Sequence, residues 1–375
     1  MCGKVNFTNL SRYSDLSERT YRRQYSDPFG FISVNACLII QAIASARFQV
    51  GAIDCSFIPK SGGATYGIDR FYNGKASRSE WGLEISTIAV VDVAASISYA
   101  LSAQQTPAAL SLDDSADDEV AVMTRTDHYL KHVRDSRPYL PASVRHLVAD
   151  AAYSTLKWVK AITQLELEVI GKLRRDANLR YVYEGPQKPR GAPRKYDGKV
   201  SFDNLSRWQA LGEMKPNVSL YTAIVWSVNL KRKIRVVYLL NQPFPERSYT
   251  ALLFSTDLEL DPIALYQAYR SRFQIEFIFR DAKQFTGLTD CQARDVQKLD
   301  FHFNASLTAL NLAKWDAYQQ RDTTQPFIFS MASYKRRKLN LHLLERFIRN
   351  FDLDETLIKS HPNYQNLCDY GIMVS

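Results

Sequence analysis

Leu265-Tyr-Gln-Ala-Tyr-Arg-Ser-Arg-Phe-Gln-Ile-Glu-Phe-Ile-Phe-Arg-Asp-Ala-Lys283 is the stretch on which the reading of the whole chain turns. It holds no Gly or Pro, and its pattern predicts one uninterrupted helix. Tyr269, Arg272, Glu276 and Lys283 follow one another at offsets of 3, 4 and 7 residues. At about 100° per residue these offsets set all four on a stripe roughly 60° wide. Phe273, Ile275, Phe277, Ile278 and Phe279 supply apolar surface beside it. A lone carboxylate among Tyr, Arg and Lys suits a site where Glu276 holds a hard cation and its neighbours bind a phosphate. A solvated helix face with an ion pair is the competing reading of those four residues alone.

The chain has 375 residues, 46% of them hydrophobic, with a net charge of +9. That length allows two or three domains, or one domain with insertions. The positive balance favours an anionic partner, nucleic acid first. Five scattered cysteines without a C-x-x-C pair argue against a zinc ribbon or a disulfide framework and fit a reducing cytoplasm. No secretory signal is present. The apolar run 31–48 contains Asn35, Gln41 and Arg47, so it reads as a buried helix and not a membrane span.

Upstream of the key stretch two further acids stand out. Gln49-Val-Gly-Ala-Ile-Asp54-Cys-Ser-Phe-Ile58 reads as a strand with an acid inside it, which is unfavourable unless the acid is paired, exposed or bound to a cation. Strands over 64–72 and 82–93, with Asn73-Gly74 as a hairpin turn, extend this to a predicted three-stranded meander. Residues 102–118, with Asp113, Asp114, Asp117 and Asp118, read as a surface loop before a helix over 119–136. His128 and His132 lie four apart there. They are a possible metal pair, but with no third ligand nearby the surface of that helix is the expected place for them. Val144-Arg-His-Leu-Val-Ala-Asp150 is a short strand ending at an acid, followed by a helix over 154–164 and a strand over 165–172.

Asp54 in the first strand, Asp150 at the end of the fourth and Glu276 in a late helix occur in the order of a ribonuclease-H-like fold. That is an α/β architecture, a mixed sheet with helices on both faces, in which the first and fourth strands lie side by side. Three carboxylates meeting there can hold two divalent ions for phosphoryl transfer, and oxygen-only ligands favour Mg²⁺ or Mn²⁺.

The remaining segments divide between nucleic-acid contact and plain surface. Residues 1–30 predict two short helices joined at Ser14-Asp15, with Ser17 capping the second and Arg19, Arg22 and Arg23 exposed on it: a helix-turn-helix-like element or a basic extension. The segment 172–199 carries nine Lys/Arg against three Asp/Glu, with Tyr181, Tyr183 and Tyr196 interleaved. Lys188, Arg190, Arg194 and Lys195 make it a candidate DNA-binding loop, a solvated loop being the alternative. Residues 218–255 read as a β-rich insertion. Gly198-Lys-Val-Ser-Phe-Asp-Asn-Leu-Ser-Arg-Trp208 matches Gly3-Lys-Val-Asn-Phe-Thr-Asn-Leu-Ser-Arg-Tyr13 closely, but a single short match is no repeat architecture. Beyond the key stretch, helices are expected over 301–318 and 341–351. The basic cluster Tyr334-Lys-Arg-Arg-Lys338 is available to DNA, to a second subunit or to solvent.

These motifs together resemble bacterial insertion-sequence transposases of the DDE type, in the branch with the signature Y-x2-R-x3-E-x6-K. Tyr269, Arg272, Glu276 and Lys283 match it without departure. The stretches 51–62 and 147–153 resemble the two Asp motifs. The resemblance implies Asp54, Asp150 and Glu276 as catalytic metal ligands for two ions, and Tyr269, Arg272 and Lys283 as phosphate-binding residues. It implies double-stranded DNA as partner, in the form of terminal inverted repeats and target. It also implies a dimeric synaptic complex, a hairpin route and cut-and-paste transfer. The insertion of this branch often supplies an aromatic that stacks on a flipped base, and Trp226 and Trp208 are the candidates. The expected division is a helical segment over 1–47, a catalytic domain over 48–180 and 261–318, the insertion over 181–260 and a helical tail over 319–375. Relatives carry a longer N-terminal region, so a shortened, non-transposing inhibitor that only binds DNA is the second expectation.

Overall fold

The computed structural model describes residues 3–110, 123–244, 247–321 and 327–373. In chain order the helices are α1 (Phe7–Arg12), α2 (Glu18–Gln24), α3 (Phe31–Ala42), α4 (Arg125–Ser136), α5 (Leu156–Gln164), α6 (Pro262–Ser271), α7 (Gln274–Asp281), α8 (Val296–Gln319), α9 (Met331–Asn350), α10 (Glu355–Ser360) and α11 (Pro362–Cys368). The strands are β1 (Gln49–Pro59), β2 (Asp69–Asn73), β3 (Arg78–Asp92), β4 (Ile97–Gln105), β5 (His146–Val148), β6 (Glu168–Leu173), β7 (Leu179–Val182), β8 (Tyr196–Lys199), β9 (Gln209–Lys215), β10 (Val218–Ser227), β11 (Arg232–Phe244) and β12 (Arg247–Ser255). They fall into two compact units. One comprises Met1–Ala42, Phe57–Glu84 and Phe277–Ser375; the other comprises Ile43–Ser56 and Ile85–Glu276. None of the described helices is long and apolar enough to cross a membrane.

The second unit is built on a mixed sheet in the order β4-β3-β1-β5-β6-β12-β11-β10-β7-β8, with β9 also on β10. Counting within the unit, its first and fourth strands, β1 and β5, are neighbours. They pair in parallel, as do β5 and β6. Parallel strands buried on both faces read as continuous apolar runs. Val50, Ala52, Ile53, Leu147, Val148, Val169 and Ile170 are accordingly almost wholly buried. Helix α5 packs on β6, and α6 packs on β6, β11 and β12. Trp158, Val159 and Ile162 of α5 enter the core. This is the mixed α/β, ribonuclease-H-like architecture that the acid order predicts.

Several elements depart from the sequence expectation. The meander is β1, β3 and β4, not three strands ending at residue 93. The expected strand over 64–72 is reduced to β2, which pairs in the first unit with the opening residues of β3. Strand β4 occupies part of what reads as a surface loop. Its Ser98 and Ser102 are buried, and polar content disguised it. Asp113, Asp114, Asp117, Asp118 and the expected start of the following helix lie outside the described residues. The basic segment 172–199 contains β7 and β8, with exposed chain between them. The insertion is no separate body. Strand β12 returns to pair with β6, Leu252 opposite Leu173, and so continues the core sheet. Gly171 in β6 makes this return possible: a Cβ there would meet the Phe254 ring at 2.7 Å and Ser154 Oγ at 3.0 Å.

The two histidines of α4 are buried, not on a helix surface. His132 Nδ1 lies 2.9 Å from Ser86 Oγ and its Nε2 lies 2.8 Å from Ser102 Oγ, which also contacts Ser136. Burial drives the His132 pKa down to about 3, and the neighbouring His128 adds to this. His128 itself is driven down to about 4, by burial first and then by Lys131. Both are therefore neutral when folded, but take up a proton near pH 6.5 when unfolded. The contribution of these two histidines to stability should be flat above about pH 6.5 and fall as pH drops towards 4, by up to about 1.4 kcal/mol per pH unit for each histidine. Urea melts at pH 7.5, 6.5, 5.5 and 4.5 check this. A His132→Asn variant should start less stable and lose less over the same range; an equal loss would exclude His132 as a source.

In the first unit, α3 packs on the 24-residue α8. Ile39, Leu299, Phe303 and Leu310 are buried, and Asn311 Nδ2 donates to Asn35 Oδ1 at 2.9 Å inside the interface. Helices α1 and α2 carry side-chain caps at Asn6 and Ser17. The Tyr334–Lys338 cluster belongs to α9, which begins at Met331, ten residues before the expected helix. The described cysteines Cys37, Cys55, Cys291 and Cys368 are all free thiols.

Candidate active site

Strand register brings the first two acids together. Gly51 pairs with Leu147 and Ala52 with Val148; Asp54 lies two residues further along β1 and Asp150 two residues past the end of β5, near enough for the charge of Asp150 to act on Asp54. Asp54 is still within β1, where its Oδ1 accepts from Cys55 N at 2.8 Å. Asp150 has just left β5. It caps a short 3-10 turn, Ala151–Tyr153, accepting from Ala151 N at 2.6 Å. Tyr153 ties the two segments, with its hydroxyl 3.4 Å from Cys55 Sγ. Its ring packs 4.7 Å from that of Trp158. Tyr153 stands within the second Asp motif, and sequence alone assigns it no role. Its place three residues after an acid at a strand end was the available signal.

The third acid arrives on a helix that is not continuous. The stretch 265–283 forms α6, a tight seam at Arg272 and Phe273, then α7 and a π-helical turn, Ala282–Thr286. Across the seam the backbone bonds are i to i−3: Arg272 to Tyr269, Phe273 to Arg270, Ile275 to Arg272 and Glu276 to Phe273. Two hydroxyls account for the break. Ser271 Oγ donates back to Ala268 O at 2.8 Å, a bond that bends helices, and Ser98 Oγ on β4 takes the Gln274 carbonyl at 2.9 Å. The expected single stripe is therefore replaced by a local cluster of Tyr269, Arg272 and Glu276. Lys283 lies in the π turn of the first unit, where its ammonium donates to the Phe57 carbonyl at 2.8 Å.

Arg272 connects the acids. Nη1 donates to Asp54 Oδ2 at 2.8 Å and Nη2 to Glu276 Oε1 at 3.1 Å. Burial pushes the Asp54 carboxyl up to about 6. Arg272 and the Cys55 amide oppose that rise, and the charges of Asp150 and Glu276 reinforce it. Burial pulls the Arg272 pKa down, but Asp54, Asp150, Tyr269 and Glu276 outweigh it, and the net shift is upward. Burial also raises the Tyr269 phenol, opposed by Arg272. Three carboxylates against one guanidinium leave excess negative charge when all are ionised. Oxygen-only donors match Mg²⁺ or Mn²⁺ in type, although among the described residues no three acids are arranged to hold a metal ion. The donor chemistry therefore fits a divalent ion, with Asp54, Asp150 and Glu276 as the residues that would hold it.

The other candidates fall elsewhere. Arg19, Arg22 and Arg23 are exposed on α2, where Arg22 pairs with Glu18 and lies 5.3 Å from the Phe7 ring. Lys188, Arg190, Arg194 and Lys195 are exposed between β7 and β8. Arg194 pairs with Asp197 and stacks 4.4 Å from the Tyr183 ring. Trp226 is half-buried, 5.8 Å from Tyr196, whereas Trp208 is buried against Phe202 and Tyr238.

A mixed sheet whose neighbouring parallel strands carry Asp54 and end just before Asp150, with Glu276 joined to Asp54 through Arg272, has the ribonuclease-H-like architecture. The chain belongs to the DDE superfamily endonuclease family, which its residues 33–233, more than half its length, match. That span includes Asp54 and Asp150 and ends before Glu276. No curated protein sequence matches the chain.

Proposed function

We propose that this endonuclease is a DNA transposase of the Y-x2-R-x3-E-x6-K branch, which cuts an insertion element at its terminal inverted repeats and joins the freed ends to target DNA. The observation that carries the reading is the linkage of Asp54 to Glu276 through Arg272, beside the parallel pairing of β1 with β5, after which Asp150 follows. Asp54, Asp150 and Glu276 would hold two Mg²⁺ or Mn²⁺ ions. When bound, these supply charge stabilisation at the attacking and leaving oxygens of phosphoryl transfer. Tyr269, Arg272 and Lys283 hold backbone phosphates near the cut. Exposed Arg19, Arg22, Arg23, Lys188, Arg190, Arg194 and Lys195 supply further phosphate contacts, which position the duplex without reading its sequence. Trp226 offers the more accessible indole for stacking on an unpaired base. In this reading residues 1–47 recognise ends, 48–180 and 261–318 do the chemistry, 181–260 cover the DNA, and 319–375 serve a dimeric synaptic complex. The freed 3′-OH attacks the opposite strand, giving a hairpin that is reopened before transfer.

Strand cleavage on a labelled duplex carrying the inverted repeat that borders the gene tests this, with Mg²⁺ compared against EDTA. Nicking at the repeat boundary that requires the metal is the expected result, and a hairpin product identifies the branch. Tight repeat binding without cleavage under Mg²⁺ or Mn²⁺ would overturn it in favour of a DNA-binding inhibitor of transposition.

A further inference from the structure

The side chain that joins the acids also stands in the way of a cation. Arg272 is only 14% exposed, and two of its N–H groups are committed to Asp54 Oδ2 and Glu276 Oε1. A guanidinium has donors only, so the lone pairs it engages on Asp54 Oδ2 and Glu276 Oε1, together with its own positive charge beside them, compete with a metal ion for those carboxylates. Among the described residues no group of three His, Cys, Asp or Glu side chains is arranged to hold a metal ion. The same planar fork fits a phosphate as well as a carboxylate, and the same N–H groups cannot serve both at once.

We propose that Arg272 makes metal loading depend on DNA. In the free protein its guanidinium holds Asp54 and Glu276 as a stand-in cation. A backbone phosphate arriving at the site draws the fork away and releases both carboxylates to the divalent ion. This rests on the three-acid reading above. If only the fraction of molecules with the fork withdrawn can bind metal, the apparent affinity of the free protein is reduced by that fraction. Linkage then requires DNA to tighten metal binding by the same factor as metal tightens DNA binding.

Titration calorimetry with Mn²⁺ on the full chain tests this, with and without a short duplex already cut at the repeat boundary, and with the heat of Mn²⁺ on duplex alone subtracted. Free wild-type protein should bind Mn²⁺ about tenfold or more weakly than Arg272→Gln. The duplex should tighten the wild type by a similar factor and change the variant little. Arg272→Lys, which keeps the charge but cannot span both carboxylates, should fall between; it carries the comparison if Arg272→Gln is unfolded at the assay temperature. Equal Mn²⁺ affinity in wild type and both variants, lost in Glu276→Ala, would sink the coupling and leave the metal site standing. No Mn²⁺ binding by any protein, with or without duplex, would overturn the three-acid reading and the coupling with it.

Discussion

Asp54→Asn and Glu276→Gln are each expected to lower metal-dependent cleavage by about 10³-fold or more while the protein still binds the repeat. Each exchange keeps the shape of the side chain and removes the charge that would hold a divalent ion. The loss of charge stabilisation at a metal-assisted phosphoryl transfer is several kcal/mol, and about 4 kcal/mol corresponds to about 10³ in rate. Single-turnover cleavage, with a gel shift on the same duplex, separates chemistry from binding. The two variants should also diverge in one respect. In either one the new amide oxygen can still accept from Arg272, but Asp54 alone lies in a strand, with its oxygen fixed by the Cys55 amide. Glu276, with its side chain 40% exposed, has more room to adjust. Cleavage within tenfold of wild type in either variant would remove that acid from the site.

Trp158→Ala is the stability counterpart, with an expected cost of about 3–5 kcal/mol. Trp158 is 0% exposed and among the largest fully buried side chains, so truncation leaves a cavity that the sheet above α5 cannot close. A single domain is held by only about 5–15 kcal/mol, so the loss would bring the protein to the edge of folding. Trp158 Nε1 is buried without a hydrogen-bond partner among the described residues, so Trp158→Phe keeps most of the packing and removes an unsatisfied donor. Urea melts should therefore show Trp158→Phe far closer to wild type than Trp158→Ala. Similar losses in the two would mean that the indole nitrogen, not packing, matters there. Because the Trp158 ring supports Tyr153, the alanine variant should also weaken cleavage at temperatures where it remains folded.

Legibility in the sequence follows the range of the interactions involved. Asp54 is visible because an acid within an apolar strand is costly, and Asp150 because an acid closes a short strand. Their meeting needs only the parallel pairing of β1 and β5, which the element order predicts. Glu276 is visible as an acid set between Phe273 and Phe277, four residues after Arg272. The seam at Arg272 and Phe273 is not visible, because no Gly or Pro marks it. It depends on Ser271 and on Ser98, which lies far away in sequence. Strand β4 and the histidines of α4 hide one another. Ser102 looks like a loop residue and His132 like a surface one until the two are seen hydrogen-bonded in the core. The π turn, which carries Lys283 off the expected helix face, likewise has no local mark before Gly287, whose φ of 78° ends it.

The return of β12 to β6 has an evolutionary side. Strands β7 to β11, between Leu173 and Leu252, extend the sheet outward from β12, and the chain comes back to a hydrogen-bonded pair of neighbouring strands, β6 and β12. Helices α6 and α7 set out from the end of β12, and α6 packs on β6, β11 and β12, so the point from which Glu276 is delivered is anchored whatever lies beyond β11. Lengthening or trimming the far strands carries a small entropic cost, since loop closure depends only weakly on length. Descendants can therefore remodel the outer surface of this arm by insertion and deletion while inheriting the placement of Asp54, Asp150 and Glu276 unchanged.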